Sequence, residues 1–247
     1  MTLENYINEA PLLNDKFAKR YEQLYKKTPL KDGIYSPQIY FEINRVKVCV
    51  VLKEINGTNN DNWNPVEEVD NEYCIYAHKN NKPATNIVKA FRSTALCQKK
   101  IIDKRELETI PGIAYINLSK LPGLSTTNIK TLKSIVQNTK DLIIEQFELI
   151  DADIYIFGGT FNYVWSILSN KAVWPYLLES SKNDRKINDE KLSKLSFYQY
   201  YLNGKKKMLV QTYHPSRRSD IWDNLGTRIL NTYNDFINDK LISKSNW

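Results

Sequence analysis

Four short segments of the chain are almost wholly apolar and rich in β-branched residues: Val46–Leu52, Ile113–Leu118, Ile154–Phe157 and Met208–Thr212. Runs of this kind suit strands buried on both faces of a parallel sheet. Between and around them, apolar residues recur at helical spacing. Tyr6, Ile7, Leu12, Leu13, Phe17, Tyr21 and Leu24 predict one or two amphipathic helices in the first 30 residues. Residues 86–100 predict another. Ile129, Leu132, Ile135, Val136, Leu142, Ile143 and Phe147 predict one long helix over Asn128–Ile150, with Thr127 as its N-cap. Phe161–Leu168 reads as a short helix after Gly158-Gly159, and Asp220–Leu241 as a long one capped by Ser219. Phe197–Leu202 and Lys205–Thr212 flank Asn203-Gly204, a pair that favours a tight primed turn, so this stretch predicts a hairpin.

Strands alternating with helices imply an α/β fold with helices on both sides of the sheet. The expectation is a three-layer α/β/α architecture around a central, mainly parallel, four-stranded sheet. The chain reads as a single domain over residues 1–247, with an N-terminal helical segment at 1–35 and a charged insertion at 180–195. No repeat or low-complexity linker divides it.

Composition narrows the function classes. Hydrophobic residues make up 42% and charged residues 26%, which excludes a disordered chain. No apolar run reaches the roughly 18–20 residues of a membrane span, and the N-terminus lacks a basic, then apolar, secretory leader. A cytoplasmic protein without a membrane partner is expected. The net charge is +7 and the pI about 9.1, a balance that attracts polyanions, nucleic acid first. Cys49, Cys74 and Cys97 form no CxxC pair, so neither a metal nor an iron–sulfur cluster is expected, and the thiols read as free. No cofactor is implied.

In open α/β sheets, ligands bind beyond the C-terminal strand ends. Four such ends carry the chemistry: Leu52-Lys53-Glu54-Ile55-Asn56-Gly57, Ile116-Asn117-Leu118-Ser119-Lys120, Phe157-Gly158-Gly159-Thr160 and Tyr213-His214-Pro215-Ser216-Arg217-Arg218-Ser219. The last holds one of only two histidines in the chain and leads into a helix start, where backbone N–H groups and the helix dipole favour an anion. Arg217 and Arg218 beside a helix N-terminus oppose that dipole, which favours a bound anion there. The ordinary structural alternatives are a capping turn for His214, loop hydrogen bonding for Asn117 and a core position for Tyr76. Lys205-Lys206-Lys207 reads as a solvated turn flank.

His214-Pro215-Ser216 after the last strand resembles the second motif of the uracil-DNA glycosylase superfamily, and the other pieces follow in matching order over roughly residues 40 to 240. Glu54–Gly57 stands where that superfamily has its first motif, Asn117 where an Asn reads the base edge, and Gly158-Gly159-Thr160 where a Gly turn follows the third strand. Tyr76, ahead of Lys82-Pro83-Ala84-Thr85, resembles the aromatic residue that stacks on the base. Lys53 and Asn56 replace the Gly and Pro of the usual first motif, and the iron–sulfur cysteines of some branches are absent.

The resemblance implies a monomeric DNA glycosylase that flips a deaminated or modified base, uracil-like or a modified cytosine, out of the stack. It then hydrolyses the N-glycosidic bond and leaves an abasic site, in repair or in anti-phage defence. His214 would meet the base anion. Glu54 would hold water beneath the sugar, with Asp61 as its substitute and Asn56 as an alternative water ligand. Asn117 would read the base, and Tyr76 or its rival Trp63 would stack on it. Ser119, Thr160 and Ser216 would hold phosphates, while Arg217 and Arg218 would bind backbone or fill the vacated stack. Two other functions stay open: a non-catalytic DNA-binding protein on the same fold, and an α/β enzyme acting on nucleosides or nucleotides.

Overall fold

A computed structural model describes residues 1–34, 37–44, 46–56, 113–123, 128–168, 176–180, 195–212, 228–229 and 231–239. The expected helix over 86–100 lies outside these residues, as do Asp61, Trp63, Tyr76, His214, Ser216, Arg217 and Arg218.

The chain begins with α1 (Leu3–Tyr25), one helix rather than two, and Pro11 lies inside it without ending it. A π-helical turn at Ile39–Ile43 precedes β1 (Val48–Asn56) and β2 (Ala114–Gly123). Then come α2 (Ile129–Asn138), α3 (Lys140–Ile150), β3 (Ile154–Gly158) and α4 (Phe161–Leu168). The antiparallel strands β4 (Tyr176–Ser180) and β5 (Ser196–Leu202) lead to β6 (Lys205–Thr212), and residues 231–237 are helical.

The six strands form one sheet in the order β2-β1-β3-β6-β5-β4. The four strands foreseen in the sequence are its parallel part, β2-β1-β3-β6. Four is nevertheless too few for the whole sheet, because β5 and β4 extend it antiparallel beyond β6. The β5–β6 hairpin turns at Asn203 and Gly204, both at positive φ (51° and 73°), as a primed turn requires. The unforeseen strand is β4, a five-residue run that borders the charged segment and carries no alternation of its own.

Both faces of the parallel part are buried. Cys49, Val51, Ala114, Ile116, Leu118, Tyr155, Phe157 and Leu209 share a core with side chains of α1 to α4. The alternate residues, among them Val50, Tyr115, Ile156 and Val210, are buried on the opposite face, and Ile229 and Phe236 of the C-terminal helical stretch are buried too. The result is an α/β fold with a mostly parallel sheet flanked by helices, consistent with three layers. Among the described residues, no helix is long and apolar enough to cross a membrane.

Local chemistry departs from the sequence expectation at three places. The long helix over Asn128–Ile150 is two. Thr139 leaves helical geometry (φ −123°, ψ 15°), and its hydroxyl donates to Ile135 O at 2.8 Å. A β-branched residue that bonds back to the preceding turn interrupts the helix there. The N-cap is Asn128 rather than Thr127, since Asn128 Oδ1 accepts from the N–H groups of Lys130 and Thr131. On α1, only Tyr6, Leu13, Phe17 and Tyr21 of the predicted apolar set are buried; Ile7, Leu12 and Leu24 face outward. Their neighbours on the buried stripe already fill the space between α1 and α3, which is tied at its rim by the Arg20–Asp141 pair at 2.9 Å.

The third departure is the lysine run. Lys205, Lys206 and Lys207 are paired rather than merely solvated. Lys205 and Lys207 each place Nζ 2.7 Å from the Asp151 carboxylate, and Lys206 pairs with Asp239. Lys207 is almost completely buried. Burial alone would raise the Asp151 carboxyl, but the hydrogen bonds from Lys205 and Lys207 outweigh it and hold the group at about 2. The folded value lies below the unfolded one. The stabilisation is therefore complete above the ordinary carboxyl value and is lost as pH falls toward 2. Asp151→Asn is expected to cost about 1–2 kcal/mol at pH 6, after discounting for the exposed side of Lys205, and to flatten the acid limb of the stability profile. Urea unfolding midpoints between pH 2 and 6 measure both.

Candidate functional site at the C-terminal edge of the sheet

The parallel strands all deliver their C-terminal ends to one edge, but they do not stop together. Val51 is the last β1 residue paired with β3, opposite Phe157. β1 and β2 run on side by side to Asn56 opposite Gly123. The two strands thus project past β3 and β6 as a tongue, and the candidate acid stands on it.

Glu54 was expected on a loop just after the strand. It lies within β1 instead, half-buried, with Ser119 as its cross-strand partner. The residues on either side explain this. A Gly and a Pro at positions 53 and 56 would turn the chain, whereas Lys53 and Asn56 allow extended backbone to continue. Leu52 is opposite Asn117. The two-residue alternation of a strand therefore puts Glu54, Asn117 and Ser119 on one face, away from the core-forming Val51, Ile116 and Leu118. Asn56 is placed by its backbone at the far end of β1.

The ends of β3 and β6 close onto β1 at one point. Gly159, at φ 71°, donates its N–H to Thr212 O at 2.9 Å, so a residue free to adopt positive φ joins β3 to β6. Thr160 donates its hydroxyl to Val51 O at 2.7 Å and is fully buried. This corrects its expected role: the hydroxyl is spent on the β1 backbone and does not meet a phosphate. Ser119 is likewise buried, and its Oγ accepts from Leu121 N–H at 3.2 Å. β6 ends at Thr212, two residues before His214 in the sequence.

Behind Asn117 lies a polar cluster that the sequence reading missed. Residues 30–34 run along the free edge of β2: Leu30 N–H donates to Lys120 O, Tyr115 N–H to Gly33 O, and Ile34 bridges Ala114 antiparallel. Gly33 has a φ of 152°, and an added Cβ would stand 2.7 Å from the Tyr6 hydroxyl, which accepts from Ile34 N–H. This edge segment delivers Asp32. Its side chain is only 1% exposed, and Lys120 Nζ lies 2.7 and 2.8 Å from its two oxygens. Gln146 of α3 donates Nε2 to Asp32 at 2.7 Å and accepts from Lys120 Nζ at 2.8 Å. Asn117 donates to the same carboxylate twice, through its backbone N–H and through Nδ2 at 3.2 Å.

β2 is irregular beside Lys120. Glu54 and Ile55 are adjacent, yet their partners Ser119 and Pro122 are separated by Lys120 and Leu121. Lys120 continues the buried phase of Ala114, Ile116 and Leu118, so its ammonium goes inward, over the ring of Phe17. Burial pulls its pKa down, against the attraction of Asp32. A signal did exist in the sequence. A lysine on the apolar phase of a buried strand needs a buried carboxylate, although periodicity alone does not say which one.

The described part of the edge thus combines a half-buried carboxylate and a nearly buried amide on one face. The expected imidazole follows β6, which β3 separates from β1. A carboxylate can activate or hold water, and an oriented amide can read a hydrogen-bonding edge. Among the described residues there is no cluster of His, Cys, Asp and Glu suited to a metal ion. Comparison of the chain with protein-family models and with curated proteins found no match.

Proposed function

We propose that the chain is a DNA glycosylase of uracil-DNA glycosylase type, which hydrolyses the N-glycosidic bond of a deaminated or modified base flipped out of DNA. One observation carries the reading. The central parallel strands are ordered β2-β1-β3-β6, and Glu54 and Asn117 share a face at the C-terminal edge to which β6 brings the chain before His214. Positive charge developing on the sugar is matched by the Glu54 carboxylate, which also holds the attacking water. Negative charge developing on the base is matched by His214 and the N–H groups of its loop. Asn117 at 5% exposure forms part of the floor on which the base edge rests. The net charge of +7 supports DNA as the polyanion. Tyr76, Trp63, Arg217 and Arg218 keep the stacking and backbone roles that the resemblance implies.

The test is incubation with DNA containing uracil, hypoxanthine or modified cytosine, followed by alkaline cleavage at abasic sites and mass spectrometry of the released bases. Release from at least one substrate is expected, with strong loss in His214→Ala. No release from any of them, with His214→Ala indistinguishable from the parent protein, overturns the proposal. The unbroken course of β1 through Glu54 favours a second reading, a DNA-binding protein without base release. Its signature is salt-sensitive binding and no abasic product.

A further inference from the structure

We infer that Asp32 is a positioning residue for Asn117: it holds the amide nitrogen toward the β2 edge, so that the carbonyl oxygen is the group Asn117 offers to a ligand. The inference deepens the proposed base-excision reading and rests on it for the identity of that ligand. The geometry itself is independent of activity. Asp32 accepts from both the backbone N–H and Nδ2 of Asn117, and Nδ2 is 3.2 Å from Oδ2. An amide pinned through its own nitrogen and the backbone beside it loses the freedom to exchange its oxygen and nitrogen ends.

Asp32 is itself held from three sides, by Lys120, by Gln146 and by the edge segment that carries it. Its carboxylate has only acceptor sites, so the donor end of any amide beside it must face it. A neutral partner at position 32 with both donor and acceptor groups would not impose that choice alone. A ligand edge that meets Asn117 through Oδ1 must present an N–H donor to it. The ring N–H of a uracil-like base or the exocyclic amine of a cytosine-like base does so, whereas an edge with only acceptors does not.

The charge of Lys120 must be removed together with that of Asp32, so two double variants make the test. Asp32→Asn/Lys120→Met keeps an oxygen acceptor beside Asn117. Asp32→Leu/Lys120→Met has no acceptor. Thermal unfolding first establishes that each is folded at the assay temperature. The side-chain amide resonance of Asn117, identified by its loss in Asn117→Ser, is then followed by 15N–1H NMR, alongside the kcat and KM of base release.

The Asn variant retains one oxygen acceptor where both Asn117 donors converge and is expected to lie closer to the parent than to the Leu variant in resonance position and exchange. The Leu variant is expected to shift the resonance, speed its exchange and lower kcat/KM about tenfold, the effect of one lost positioned hydrogen bond. A folded Leu variant with the parental resonance and kinetics overturns the inference and leaves base excision standing. Absence of base release by the parent protein overturns the excision reading, and the resonance then decides the role of Asp32 by itself.

Discussion

Lys120→Met is expected to destabilise the protein by about 3–5 kcal/mol, the cost of leaving a buried carboxylate without its counter-charge. Asp32 is 1% exposed and Lys120 2%, so water cannot replace the missing ammonium. Gln146 Nε2 and the two Asn117 donors remain, but three neutral dipoles do not balance a full charge taken out of water. Adding Asp32→Asn should recover most of the loss, because a neutral amide pair needs no counter-ion. Urea unfolding of the parent, the single variant and the double variant measures this directly. Equal stability of Lys120→Met and the double variant would show that the ion pair is not what holds residues 30–34 against β2.

That cluster also marks where the sequence ceased to be legible. The parallel strands could be read because a sheet buried on both faces demands unbroken β-branched runs, and Ile154–Gly158 is one. The β5–β6 hairpin could be read because Asn-Gly is chemically suited to two successive positive φ angles. The pairing of Asp32 with Lys120 could not. It depends on an antiparallel edge segment 88 residues away in the chain, which leaves no periodic trace. Glu54 lies on a strand rather than after one because Lys53 and Asn56 let β1 continue. Thr160 was found but assigned to a phosphate, since sequence does not reveal that the nearest acceptor is the Val51 carbonyl.

Glu54→Gln separates excision from mere binding, and its expected effect is the largest on function. The change keeps size and hydrogen-bonding capacity at a half-buried strand position opposite Ser119, so the fold and the β1–β2 pairing should be unaffected. The carboxylate has two tasks in the proposed reaction: to accept a proton from the attacking water and to face the cationic sugar. An amide does neither. Base release should fall by about 10²–10⁴-fold, the usual range for a positioned general base. DNA affinity should not fall, because one negative charge beside phosphates has been removed, and the salt dependence of binding should keep its slope. The fall should appear in kcat rather than KM, since the lost interactions strengthen only in the transition state. Single-turnover base release and fluorescence anisotropy on the same labelled duplex measure the two quantities together. Undiminished release from Glu54→Gln would move the water-activating role from β1 to Asp61, whose replacement by Asn should then produce the collapse in rate.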